Sequence, residues 1–242
     1  MRIRLIACEA LHRECCRAAA ESPHVVDLSF IPFGLHDTPS ELRAAIQSEI
    51  DASQGCDYIA LGYGLCSRGT AELRASSAPL VIPRAHDCIT LFLGSRARYS
   101  EEFTANPGTY YYSAGWIERK EGDVQQGFVD DLHAKRDDER YREYVEKYGE
   151  DNAKFLMEQE AQWSANYTRA AFIDTGVGDP ETYRRFTGEV ADGHGWEYAE
   201  LPGDTSLIDR LLSGDWDDDF LIVQPGQTIM ESFDQTILRS EG

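Results

Sequence analysis

Residues 83–95 read PRAHDCITLFLGS and follow the short apolar run Pro79-Leu80-Val81-Ile82, so His86, Asp87 and Cys88 fall where a buried strand gives way to a helix. An imidazole, a carboxylate and a thiol in one turn are groups that ligate metals or exchange protons. Two more cysteines hold comparable places: Cys8 closes the run IRLIA, and Cys66 lies in GYGLCSRG, into which the run starting at Tyr58 leads. In an open parallel sheet ligands collect beyond the carboxyl ends of strands, so Cys8, Cys66 and Cys88 are expected on one rim. Thiolates converging on a point repel one another unless something positive lies between them. The natural occupant is a metal ion or an iron–sulfur cluster. Three protein ligands and one open position are the arrangement of a catalytic rather than a structural metal. The expectation is a metalloenzyme with Cys8, Cys66 and Cys88 as ligands, an iron–sulfur cluster being favoured over zinc, acting on a small polar or anionic substrate.

Other readings of the same residues stay open. His-x-Cys with a distant cysteine resembles the thiolate-zinc pattern of methyltransferases that activate a thiol, and the set would be His86, Cys88 and either Cys8 or Cys66. A metal-free enzyme would instead use Cys66 or Cys88 as nucleophile and His86 as base. Glu9 and Asp87 stand beside cysteines, as acid/base groups or as partners of the ligands; Asp87 serves equally well as a helix N-cap. Arg68, Arg84, Arg96 and Arg98 suit an anionic substrate, since guanidinium offers a planar fork to carboxylate or phosphate. In GTYYYSAGW, Tyr110, Tyr111, Tyr112 and Trp116 suit the wall of a pocket, with Tyr111 and Trp116 expected to touch substrate. Cys15 and Cys16 within a helix, and Cys56 before a strand, read as small packing residues.

The elements that would position these groups follow from periodicity. Ile3–Ala7 and Val25–Phe33 read as strands, and Pro39–Ala52, with Leu42, Ile46 and Ile50 at spacing four, as an amphipathic helix. Strands from Tyr58 and over Leu80–Ile82 complete an alternation that predicts α/β architecture, with a largely parallel sheet or sheets flanked by helices. Residues 1–100 form a first α/β portion carrying the cysteines, 101–169 an aromatic and helical insertion broken near Gly149, and 170–242 a second α/β portion. That second portion has strands at Ala170–Asp174, Trp196–Leu201 and Phe220–Val223, and helices at Pro180–Gly193 and Ser206–Leu212. Gly62, Gly64 and Gly69 allow tight turns, but form neither a Walker loop nor a dinucleotide fingerprint.

A chain of 242 residues, 42% of them hydrophobic, is long enough to bury an ordinary core. Its formal charge of −20 makes the average surface repel phosphate backbones and anionic lipid, so neither nucleic acid nor membrane is an expected partner. No run approaches the roughly 18 apolar residues of a membrane span, and no leader segment is apparent. The expectation is a soluble, cytoplasmic protein, whose six cysteines are free thiols or ligands rather than disulfide staples.

The segments LIACEALHRE, LGYGLCSRG, PRAHDCITLFLGSRARY, GTYYYSAGW and LIDRLLSGDWDDDFLIVQPG together resemble the DUF1638 family over nearly the whole chain. The resemblance implies three family cysteines matched by Cys8, Cys66 and Cys88. It also implies a place in microbial one-carbon or methylamine-type metabolism. A third reading of the residues is an accessory protein of a corrinoid methyltransferase system, which would hold a corrinoid or a partner subunit through the aromatic segment. The Asp-x-His-x-x-Gly signature of a corrinoid-binding domain is not present. The acidic stretch around Asp137–Glu160 is the part least similar to the family.

Overall fold

In the computed structural model, residues 1–35, 38–119, 137–164 and 166–242 are described. Strands β1 (Arg2–Cys8), β2 (Val25–Ile31), β3 (Tyr58–Gly62), β4 (Leu80–Pro83) and β8 (Phe220–Val223) form a five-stranded sheet in the order β2-β1-β3-β4-β8. The first four run parallel and β8 is antiparallel to β4. The α/β class and its mostly parallel sheets are therefore as the alternation of elements predicts.

Strand alternation explains why both faces of this sheet are covered. Ile6, Ile59, Leu61, Leu80 and Ile82 point to a core that includes Leu42, Ile46 and Ile50 of α2 (Pro39–Ala52). Ile3, Leu5, Ala60 and Val81 point the other way, to α1 (His12–Glu21), α3 (Cys88–Leu93) and Leu207, Ile208, Leu211 and Leu212 of α9 (Ser206–Ser213).

A second parallel sheet, β5-β6-β7, consists of Thr109–Tyr112, Arg169–Asp174 and Glu197–Pro202. Its core joins Tyr110, Tyr112 and Phe172 to Tyr183 and Val190 of α8 (Pro180–His194). Helix α4 (Arg96–Ala105) precedes β5, and α5 (Ala114–Glu118) follows it. Helices α6 (Asp137–Tyr148) and α7 (Glu150–Ser164) meet at Gly149, whose φ is 83°. The chain ends in an antiparallel pair, β9 (Thr228–Glu231) with β10 (Leu238–Glu241), which periodicity does not announce.

The sheets divide the chain differently from the three segments expected. The aromatic strand β5 is an edge of the second sheet, paired with β6, rather than part of an insertion. Strand β8 leaves that sheet's neighbourhood in sequence and returns to the first. Gly115 shows how closely the parts approach, since a Cβ there would stand 1.9 Å from the Ala10 carbonyl oxygen. Among the described residues, no helix is long and apolar enough to cross a membrane.

Glu14 is fully buried between α1 and the end of β6, accepting a hydrogen bond of 2.7 Å from the Thr175 hydroxyl. Burial pushes its carboxyl above the ordinary range, outweighing that bond. A carboxyl raised in the folded state favours folding at low pH. Its contribution is lost as pH rises from the unfolded pKa through the folded one. Glu14→Gln keeps the acceptor and removes the ionisation. The variant is expected to melt higher than wild type at pH 8 and to lose that advantage at pH 4, read by thermal denaturation at both.

Candidate functional site

β1, β3 and β4 are neighbours in the first sheet, and parallel neighbours lie roughly 4.8 Å apart with their carboxyl ends on one edge. Cys8 is the last residue of β1, Cys66 follows β3 by four residues, and Cys88 opens α3 just beyond β4. All three line a single cavity of about 310 Å³.

The two loops that carry Cys66 and Cys88 are bound to each other. Leu65 donates its backbone N–H to Ala85 and Cys66 donates to the carbonyl of His86, both at 2.8 Å. Gly64 permits this approach, because a Cβ there would sit 2.7 Å from both the Ala85 oxygen and the Asp87 nitrogen. The turn then runs through Cys66, Ser67 and Arg68 with φ of 47°, 52° and 71°, three successive side-chain-bearing residues in the left-handed region. Such conformations cost about 1 kcal/mol or more per residue, so the surrounding contacts hold this turn against its local preference.

Asp87 is the N-cap of α3, accepting from the backbone N–H groups of Ile89 and Thr90 through Oδ1, and from the Tyr99 hydroxyl at 3.0 Å through Oδ2. Burial pushes its carboxyl upward while those bonds pull it down. His86 is exposed, lies on the cavity wall, and faces the Tyr99 ring at 6.4 Å.

The thiols sit in an environment that disfavours their ionised form. Burial pushes Cys66 up first, then the Asp87 carboxylate and Cys8. Cys88 is pushed up by burial, Asp87, Cys66 and Cys8, in that order, and Trp116 opposes the push. Cys8 thus raises both Cys66 and Cys88, and Cys66 raises Cys88. Among the described residues no Lys or Arg lines the cavity, and no group of three His, Cys, Asp or Glu side chains is set to hold a single metal ion.

The remaining wall is aromatic. Phe33 follows β2, Tyr110 and Tyr111 belong to β5, Trp116 to α5, and Tyr167 precedes β6. Tyr63, between Gly62 at the end of β3 and Gly64, also lines the cavity; it is 3% exposed, and its hydroxyl has no hydrogen-bond partner among the described residues. Tyr112 is fully buried in the second sheet's core and does not reach the cavity.

Sequence reading finds the three cysteines, His86, Asp87, Tyr110, Tyr111 and Trp116, but misses Phe33, Tyr63 and Tyr167. The one local signal for Tyr63 is an aromatic residue flanked by glycines at a strand's end. The arginines expected to bind an anion are elsewhere. Arg68 pairs with Glu231 at 3.1 Å, and Arg84 donates to the carbonyls of Thr236 and Leu238. Arg96 donates to the Gln235 carbonyl at 2.7 Å and to Asp219 at 3.1 Å, while Arg98 donates to the Leu93 and Pro202 carbonyls. Glu9 accepts from the Phe33 backbone N–H at 3.1 Å and lies 3.8 Å from Arg119, so it fastens one wall of the cavity without lining it. Cys15 is fully buried in the core, and Cys16 and Cys56 lie away from the cavity.

A family model described as a protein of unknown function (DUF1638) matches residues 30–212. The chain belongs to the DUF1638 family. The DUF1638 match takes in Cys66, Cys88 and the whole aromatic wall, and it begins beyond β1 and Cys8. No curated protein and no solved structure matches the chain.

Proposed function

We propose that this DUF1638 protein is a metalloenzyme whose centre is an iron–sulfur cluster held by Cys8, Cys66 and Cys88, with one iron left open to a small molecule in the aromatic cavity. The observation that carries the reading is the convergence of three thiols, from three adjacent strand ends, on one cavity that no described Lys or Arg lines. Buried thiols beside a carboxylate need a cation to become thiolate ligands.

When bound, such a centre supplies Lewis acidity or electron transfer at its open iron. The chain's own residues do the rest. Trp116 lines the cavity with Cys88 and works against the upward push of burial on that thiol, which favours the thiolate. Asp87 holds α3, and with it Cys88, in place. Tyr63 keeps its phenol proton, since burial and then Cys8 and Cys66 push it up.

The runner-up is a zinc centre recruiting His86, which lines the same cavity as Cys88. Elemental analysis and an optical spectrum, on protein purified without oxygen or a metal-binding tag, separate the two. Iron with labile sulfide and broad visible absorption is expected; about one zinc without colour would select the runner-up. No metal after reconstitution would overturn both and move the protein to a metal-free or accessory role.

A further inference from the structure

Strand β2 is an outer strand of the first sheet, bonded to β1 alone. Val25 donates its backbone N–H to the Met1 carbonyl at 3.1 Å, on the β1 side. In a parallel ladder a residue turns its N–H and C=O to one side, and the next residue turns them to the other. Asp27, Ser29 and Ile31 therefore bond to β1 as Val25 does. The N–H and C=O groups of Val26, Leu28 and Phe30 point away from β1 and have no hydrogen-bond partner among the described residues.

Such an edge is a template for pairing, and folded chains ordinarily blunt it with charge, proline or a bulge. β2 uses none of these devices. Its register with β1 is unbroken from Val25 to Ile31, and in VVDLSFI the one charged residue, Asp27, is neutralised by Arg2 at 2.7 Å. β7, an outer strand of the second sheet, shows the contrast: it carries Glu197 and Glu200 and ends in Pro202. A chain of net charge −20 repels its own copies over most of its surface, so two copies can meet only where charge is sparse.

The sequence of β2 is complementary to itself. When two copies run antiparallel about a two-fold axis at Leu28, Leu28 faces its equivalent, Val26 faces Phe30, Asp27 faces Ser29 and Val25 faces Ile31. Apolar residues then meet apolar residues, and no like charges stand opposite. Val26, Leu28 and Phe30 are only partly buried against the core on the α1 side, so this row has apolar surface left to cover. They are also the residues with free edge groups, and this register joins them in hydrogen-bonded pairs, giving about six main-chain bonds.

We propose that the protein forms a symmetric dimer by antiparallel pairing of β2 with β2 of a second copy, which joins two five-stranded sheets into one. The dimer is independent of what the thiols hold.

Sedimentation velocity of the full chain from about 1 to 100 µM tests the pairing, and a dimer is expected within that range. Leu28→Lys sets two like charges opposite each other at the axis and should weaken the dimer at least about tenfold. Val26→Pro removes an outward donor and leaves the bonds to β1 in place, so it gives an independent loss should Leu28→Lys fail to fold. Tyr198→Lys, on β7, should leave the dimer unchanged. In hydrogen exchange at about 100 µM, the Val26 and Phe30 amides of wild type should exchange at least about tenfold more slowly than those of Leu28→Lys. A wild-type monomer at about 100 µM, a dimer undiminished in both β2 variants, a loss in Tyr198→Lys as large as theirs, or equal exchange at Val26 and Phe30 would overturn the pairing.

Discussion

Replacing Cys8, Cys66 or Cys88 singly by alanine is expected to abolish stoichiometric metal binding while leaving the fold intact. Each thiol comes from a different strand end, so no neighbouring cysteine is placed to substitute for a lost one. A site with three protein ligands loses a third of its donors with each change. Each cysteine keeps part of its surface open, so truncation removes little packing, and the cost to stability should be about 1 kcal/mol. Cys15→Ala is the contrasting control. Its side chain is fully buried in the core between the first sheet and α1, so this variant should be destabilised while keeping its metal. Metal per chain and a thermal melt on each variant decide the matter; full metal retention in all three site variants would sink the proposal.

Metal-free protein should also reveal its thiols as poor nucleophiles. Cys66 and Cys88 are expected to react with iodoacetamide at pH 7 at least about tenfold more slowly than an unperturbed cysteine, with rates still climbing beyond pH 9. Burial is the main cause, followed by the Asp87 carboxylate and the other thiols of the site. Asp87→Asn keeps an oxygen for the helix cap and removes the charge, so it should speed both reactions. Peptide mapping by mass spectrometry over a time course at several pH values gives the rates residue by residue. Fast, stoichiometric labelling of either thiol at neutral pH would restore the metal-free reading, with His86 as base.

The amino-acid sequence by itself determined the local facts. Short apolar runs ending in Cys8, leading into GYGLCSRG, and followed by HDC mark strand ends, and the spacing of Leu42, Ile46 and Ile50 marks the buried side of α2, because side-chain periodicity is a property of a few consecutive residues. Gly64 was visible as a turn former, though not as the contact point between two loops. Which strands become neighbours was decided only by the tertiary structure. The order β2-β1-β3-β4 brings the three cysteines to one cavity, β8 closes that sheet antiparallel, and β5 pairs with β6 across more than fifty residues of chain. Pairing is non-local hydrogen bonding, and nothing in a single strand's pattern names its partner. The same holds for the aromatic wall, whose rings come from separate segments, and for the arginines: Arg68, Arg84 and Arg96 reach β9, β10 and the loops flanking β8 and β10, and Arg98 reaches carbonyls of α3 and β7, instead of the rim. Residue types told which chemistry was available, and packing decided which of those groups met.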